Sequence, residues 1–87
     1  MLFVYSAIDC HDKSELRAKN NAAHVKYVYE YGLKIVHAGP LVCDDGVSPI
    51  GTLIIIDALD RQAAQETIDN DPYVKAGLFS QISLIAW

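Results

Sequence analysis

Four stretches of the chain carry the hydrophobic pattern of β-strands. Leu2 to Ile8 is apolar and contains the aromatic and β-branched side chains that favour a pleated surface. The same kind of residue fills Leu33 to Ala38 and Ile50 to Ala58. From Leu78 to Trp87, mostly apolar side chains recur at every second position, the period of two that is typical of a strand. The pattern therefore predicts four strands.

The segment after the first strand predicts a long helix. Neither glycine nor proline occurs from Lys13 to Tyr31, and Gly32 follows as a stop signal. Asp12, with Glu15 three positions later, resembles a capping box at the start of this helix.

A second, shorter helix is predicted over Arg61 to Asp69. Asp60 is a suitable N-cap for it, and Pro72 prevents a simple continuation. Proline also interrupts the second strand, which we expect to end or bend in the region of Gly39-Pro40 because proline cannot donate to a β-ladder. Turn residues at Asp44-Asp45-Gly46 then predict a hairpin into the third strand.

The predicted element order is β-α-β-β-α-β over residues 1–87, as one domain. With two right-handed crossovers, this order gives a four-stranded antiparallel sheet with both helices on one face, the ferredoxin-like α+β arrangement.

Both faces of the predicted sheet are apolar, although helices cover only one of them. In the first strand, Leu2 and Val4 point one way while Phe3 and Tyr5 point the other way. An exposed apolar sheet face is an aggregation hazard in so small a protein. We therefore expect a homodimer or larger homo-oligomer in which sheet-to-sheet packing covers this face.

Composition narrows the class of protein. Of the 87 residues, 52% are hydrophobic, which is too many for a disordered chain. Eleven acidic and seven basic residues give a net charge of -4, so no nucleic-acid partner is expected. The N-terminus does not resemble a signal peptide, and no stretch is long enough to span a membrane. We expect Cys10 and Cys43 to be reduced thiols. These features predict a cytoplasmic protein without a membrane partner.

The first helix carries the first candidate for chemistry. His24 and Arg17 are seven residues apart, about two helical turns, and therefore share a stripe. Asn21 and Val28 lie on or beside this stripe, which is half polar where a core-facing helix would be apolar. A helix that faces a ligand has this pattern. The alternative is that His24 is a solvated or hydrogen-bonded helix residue without a chemical role.

A carboxylate candidate follows the second helix. Asp71 begins the segment Asp71-Pro72-Tyr73, which by itself is ordinary turn chemistry. In the predicted topology, however, Asp9, Arg17, His24 and Asp71 meet at one edge of the sheet. A carboxylate beside an imidazole fixes its tautomer and stabilises the imidazolium, so the pair would make a proton acceptor near neutral pH.

The sequence resembles the YciI-like family within the dimeric α+β barrel superfamily, which includes muconolactone isomerase. The residues that carry the resemblance are the first strand, Leu16-Arg17, His24, Ala38-Gly39-Pro40-Leu41, Gly51 and the run Asp71-Pro72-Tyr73-Val74-Lys75-Ala76-Gly77-Leu78-Phe79. The resemblance implies that His24 and Asp71 are an active-site pair. It also implies an activity such as the dehydrochlorination of a chlorinated hydroxyhydroquinone in aromatic degradation.

Together, these observations predict a small enzyme that catalyses elimination or isomerisation of an oxygenated ring compound. His24 is the expected base and Asp71 orients it, with Arg17, Asp9 and Tyr73 as substrate-binding or auxiliary residues. No cofactor is expected, since no cofactor motif is present, and no metal is expected. The alternative is a non-catalytic dimeric module that binds a small molecule or a protein.

Overall fold

The chain forms a four-stranded antiparallel sheet with its helices packed on one side. The computed structural model describes residues 1–30 and 34–87. Its elements are β1 (Leu2–Asp9), α1 (Ser14–Glu30), β2 (Ile35–Val42), β3 (Pro49–Asp57), α2 (Arg61–Asp69), α3 (Pro72–Lys75) and β4 (Phe79–Ala86).

The strand order is β2-β3-β1-β4, so β1 and β3 are central and β2 and β4 are edges. Every neighbouring pair is antiparallel. Alternate residues of the central strands, such as Tyr5 and Ile54, are buried beneath the helices, and Ile68 of α2 packs against them. The predicted ferredoxin-like βαββαβ fold is confirmed.

The opposite face of the sheet is largely apolar, and none of the described helices covers it. Val4 and Ile55 pair across β1 and β3 on this face and are only partly buried. Ile85, the partner of Val4 on β4, is 63% exposed. We call this surface the open face; it agrees with the prediction that both sides of the sheet are apolar.

The second strand runs on past Gly39-Pro40, where the sequence predicts that it ends or bends. β2 continues to Val42, and Pro40 pairs with Thr52 of β3. Proline is tolerated in the outer strand of a sheet because its missing N–H can fall on the side without a neighbour. Whether a strand is an edge depends on the topology, which the local sequence does not reveal.

The predicted capping box of the first helix is also wrong. Asp12 has a φ of 58°, in the left-handed region, whereas an N-cap residue adopts an extended backbone. The helix begins at Ser14, and its predicted end at Tyr31 and Gly32 lies outside the described residues. The second helix matches its prediction, and the Asp60 side chain accepts a hydrogen bond from the Ala63 N–H.

The two central strands approach each other very closely at Gly51. A Cβ atom at this position would lie 2.2 Å from the backbone oxygen of Ala7. Because backbone cannot move aside as a flexible side chain can, only glycine fits without separating β1 from β3. The next residue, Thr52, is buried on the helix side of the sheet.

Candidate active site

The helix face that carries His24 meets a buried carboxylate. Asp71 is the N-cap of α3, and its Oδ1 accepts a hydrogen bond from the backbone N–H of Tyr73 at 3.0 Å. Nδ1 of His24 lies 2.8 Å from the same oxygen, and Asp71 is only 1% exposed. Since an ionised carboxylate can only accept, Nδ1 carries the proton and Nε2 is left as the basic nitrogen. This arrangement can hold an imidazole as a proton acceptor.

Tyr73 supports the imidazole from one side. Its ring stacks on His24 with the ring centroids 4.0 Å apart and an interplanar angle of 14°. Its hydroxyl donates to Oδ1 of Asn21 at 2.8 Å. Burial raises the pKa of the Tyr73 phenol. Tyr73 therefore orients the imidazole as a neutral aromatic residue.

Beside this pair, Arg17 is held in a fixed orientation. Its Nε and Nη2 donate to the two oxygens of Asp9 at 2.6 and 2.8 Å, and Nη2 also donates to Oγ1 of Thr52 at 3.0 Å. The hydrogen bond with Asp9 raises the pKa of Arg17 further. The guanidinium also lies 4.8 Å from the ring centroid of Tyr73, which places a permanent positive charge next to the stacked pair.

These side chains border a cavity of about 740 Å³ between α1 and the β2–β3 hairpin. This volume falls within the ~300 to 1,000 Å³ typical of small-molecule sites. Arg17, His24, Thr52 and Tyr73 supply polar groups to the wall, and most of the remaining wall is apolar. The cavity therefore suits a small, largely apolar molecule with a few oxygen atoms.

The structure brings all five sequence-predicted residues together, but in two layers. Arg17, His24 and Tyr73 line the cavity. Asp71 lies behind His24, and Asp9 lies behind Arg17, so each carboxylate holds a cavity-lining side chain. Asp9 is thus the ion-pair partner of Arg17.

Sequence reasoning missed Thr52 as a member of the site. Its only signal is that it is the one hydroxyl residue of the run Ile50 to Ala58. Asn21, by contrast, lies on the predicted polar stripe of α1, and it holds the hydroxyl of Tyr73.

Neither a metal centre nor a membrane-spanning helix is found in the part of the chain that the structure describes. Within residues 1–30 and 34–87, no three histidine, cysteine or acidic side chains converge as metal ligands. Nε2 of His11 instead lies 3.2 Å from Oδ2 of Asp12, and both side chains are exposed. None of the described helices is long and apolar enough to cross a bilayer.

The fold and the buried histidine–aspartate pair define a small ferredoxin-like protein with a candidate ligand cavity. The YCII-related domain matches residues 1–87, and the chain belongs to this family. Protein YciI of Escherichia coli O6:H1 is 32% identical over 92 residues, which cover 97% of this chain and 93% of the relative. Protein YciI of Shigella flexneri matches to the same extent. The family resemblance predicted from the sequence is confirmed.

Solved structures agree with this assignment. The 5-chloro-2-hydroxyhydroquinone dehydrochlorinase TftG from Burkholderia phenoliruptrix, in complex with 2,5-dihydroxybenzoquinone, is similar with a TM-score of 0.91 and 30% identity. The match covers all of this chain and 93% of that one. An antibiotic biosynthesis monooxygenase has a TM-score of 0.61 at 12% identity over the whole chain, which shows a shared fold only.

Proposed function

We propose that the protein is a small enzyme of the lyase type that removes hydrogen chloride from a chlorinated, hydroxylated ring compound. The observation that carries the proposal is the His24–Asp71 pair, which lies beside a cavity that also contains the guanidinium of Arg17. The similarity to a dehydrochlorinase at 30% identity and a TM-score of 0.91 supports the same chemistry.

His24 acts as the general base in this proposal. Nε2 accepts the proton of a ring hydroxyl, and Asp71 stabilises the resulting imidazolium. Arg17 stabilises the negative charge on the ring oxygen, since its own charge is permanent and its position is fixed by Asp9.

The proposed reaction balances as the net loss of HCl. One hydroxyl proton is transferred to the carbon that bears chlorine, and a second hydroxyl loses its proton as both ring oxygens become carbonyls. Chloride leaves with the electron pair of the C–Cl bond. The product is a hydroxyquinone, and no external oxidant is required. Isomerisation of a related oxygenated ring would use the same transfer of a proton from oxygen to carbon without the loss of chloride.

We also propose that the protein is a homodimer or a larger homo-oligomer in which the open face is covered. Val4 and Ile55 on this face are apolar, and Ile85 is largely exposed. Large exposed apolar patches mark interaction surfaces in soluble proteins. A second copy of the sheet would supply a matching apolar surface.

Chloride release from 5-chloro-2-hydroxyhydroquinone tests the proposed activity. The purified protein should release chloride and form a quinone absorbance, and His24→Ala should abolish most of both. His11→Ala is the matched control, because His11 is exposed and lies outside the cavity; its activity should equal that of the wild type.

The alternative function is a non-catalytic module that binds a small molecule. The mostly apolar lining of the cavity would accommodate a planar ring without any proton transfer. Calorimetry with 2,5-dihydroxybenzoquinone distinguishes the two functions. Binding of this quinone without turnover of chlorinated or lactone substrates would contradict the enzyme and favour the module.

A further inference from the structure

Two buried polar atoms near the site have no use in the proposed reaction. Tyr5 of β1 is completely buried, and Asp71 is nearly so. Within residues 1–30 and 34–87, neither the Tyr5 hydroxyl nor Oδ2 of Asp71 has a hydrogen-bond partner. Leaving a buried carboxylate oxygen and a buried hydroxyl both unsatisfied is strongly destabilising, so each requires a partner.

Tyr5 belongs to the aromatic cluster beneath the imidazole. Its ring packs edge-on against Phe79 with the centroids 6.3 Å apart, and Phe79 packs edge-on against Tyr73 at 5.9 Å. Tyr73 in turn stacks on His24. The ring of Tyr5 therefore belongs to the same chain of packed rings as the imidazole that Asp71 holds.

The negative charge of Asp71 acts on the buried phenol of Tyr5. Burial raises the pKa of the Tyr5 phenol well above its usual value, and among the neighbouring charges Asp71 raises it most. Tyr5 is thus a neutral hydroxyl at every physiological pH. A hydroxyl can donate and Oδ2 can only accept, so the two unpartnered atoms are chemically complementary.

We propose that Tyr5 is a positioning residue of the candidate active site, whose hydroxyl is hydrogen-bonded to Oδ2 of Asp71 through one buried water. Buried waters typically satisfy polar groups that protein atoms do not reach. With Oδ1 held by His24 and by the Tyr73 N–H, a donor on Oδ2 fixes the rotation of the carboxylate. Tyr5 would then act on the imidazole only through Asp71.

The effect of removing this hydroxyl on His24 has a definite sign. The Tyr5 donor stabilises the Asp71 carboxylate most when the imidazole is neutral, because the carboxylate then has no counter-charge beside it. Without the donor, the free energy of the state with a neutral imidazole is higher, so the imidazolium persists to higher pH. The other groups that act on this layer, Asp9, Arg17, Tyr27 and Tyr73, are unchanged by the substitution.

Tyr5→Phe tests the inference, and two measurements on the free protein decide it. In an NMR titration of the imidazole, the midpoint for His24 should rise by roughly half to one pH unit, as expected for the loss of one hydrogen bond to a charged group. The melting temperature should also fall. Asp60→Ala is the control: it removes the side chain that accepts from the Ala63 N–H and caps α2, so it should lower the melting temperature and leave the midpoint unchanged.

An unchanged midpoint in Tyr5→Phe would overturn the inference. So would an unchanged or higher melting temperature, which indicates that a truly unpaired hydroxyl has been removed. The inference depends on the proposed function only for its consequence on turnover. Neither the titration nor the melting temperature requires a substrate. An inactive wild-type protein would therefore contradict the proposed function, and both measurements on Tyr5→Phe could still be interpreted.

Discussion

Nδ1 of His24 lies 2.8 Å from Oδ1 of Asp71, although 47 positions separate the two residues in the sequence. One belongs to the middle of a long helix and the other caps a helix of four residues. The pair therefore exists only when α1 and α3 are packed together. Its geometry therefore depends on the packing of these two helices.

Substitutions of the pair should not have additive effects on turnover. His24→Ala should lower kcat/KM for dehydrochlorination by about 10²- to 10⁴-fold, the usual range for a general base. Asp71→Asn should lower it by a similar or smaller factor, because asparagine keeps the shape and loses the charge that favours imidazolium. Since both residues act through one imidazole, the double variant should resemble His24→Ala. Chloride release measures all three.

Independent action would appear as losses that multiply in the double variant, and this result would contradict the pair. Asp71→Asn retains an oxygen for the N–H of Tyr73, so its melting temperature should stay near that of the wild type. Asp71→Ala removes the cap and should cost about 1 kcal/mol or more of stability. Circular dichroism thus separates a catalytic effect from unfolding.

Charge on the open face should weaken self-association. Ile55 pairs with Val4 in the centre of this face, so Ile55→Asp would place a carboxylate in the proposed interface. We expect a dimer or larger assembly for the wild type and a lower mass for this variant in light scattering at micromolar concentration. Leu59→Asp is the control, because Leu59 is 89% exposed and lies outside the strands. A monomeric wild type would rule out the proposed assembly.

The forked geometry of Arg17 should matter beyond its charge. Arg17→Lys keeps a positive charge but cannot form the paired bonds to Asp9 together with the bond to Thr52. We expect kcat to fall by about tenfold or more, since a misplaced charge stabilises the ring oxygen poorly. Arg61→Lys, which alters an exposed bond to the Leu84 oxygen, should have wild-type kinetics. Equal kinetics for both variants would contradict a role for Arg17.

The turn between β2 and β3 gives a prediction of pH-dependent stability that does not involve the candidate active site. The Ser48 hydroxyl and the N–H groups of Ser48 and Val47 donate to Asp45 and lower its pKa from the usual 3.8 to about 2. A carboxyl group whose pKa is lower in the folded than in the unfolded protein stabilises the fold at pH values above the unfolded pKa. This contribution is lost as the pH falls from 3.8 to about 2. In NMR titrations, Ser48→Ala should raise the pKa of Asp45 towards 3.8. An unchanged titration would show that Ser48 is not the main cause.

Much of the fold follows from local sequence signals. The second helix has the predicted bounds because Asp60 caps it and Pro72 limits it. The course of β2 through Pro40 could not be predicted, since it depends on which strand becomes an edge. The four-residue helix α3 was also missed, because a single turn after Asp71 has too few residues for a periodic pattern.

The candidate site was predictable where residues share one helix face. Arg17, Asn21 and His24 follow from helical periodicity, and all three line the cavity. Thr52 was not predictable, because its contact with Arg17 spans 35 positions and depends on the pairing of β3 with β1. The family resemblance indicated the pairing of His24 with Asp71, which residue spacing alone left open.

Gly51 makes the tolerance of this protein to mutation uneven. Position 51 contributes no functional group, yet a Cβ there would meet the Ala7 backbone oxygen at 2.2 Å. Any larger residue would push the central strands apart next to Thr52, which accepts a hydrogen bond from Arg17. In a library randomised at this position, selection for activity should therefore retain glycine alone. Retention of glycine would then reflect the close spacing of two strands, and it would not indicate a catalytic role for position 51.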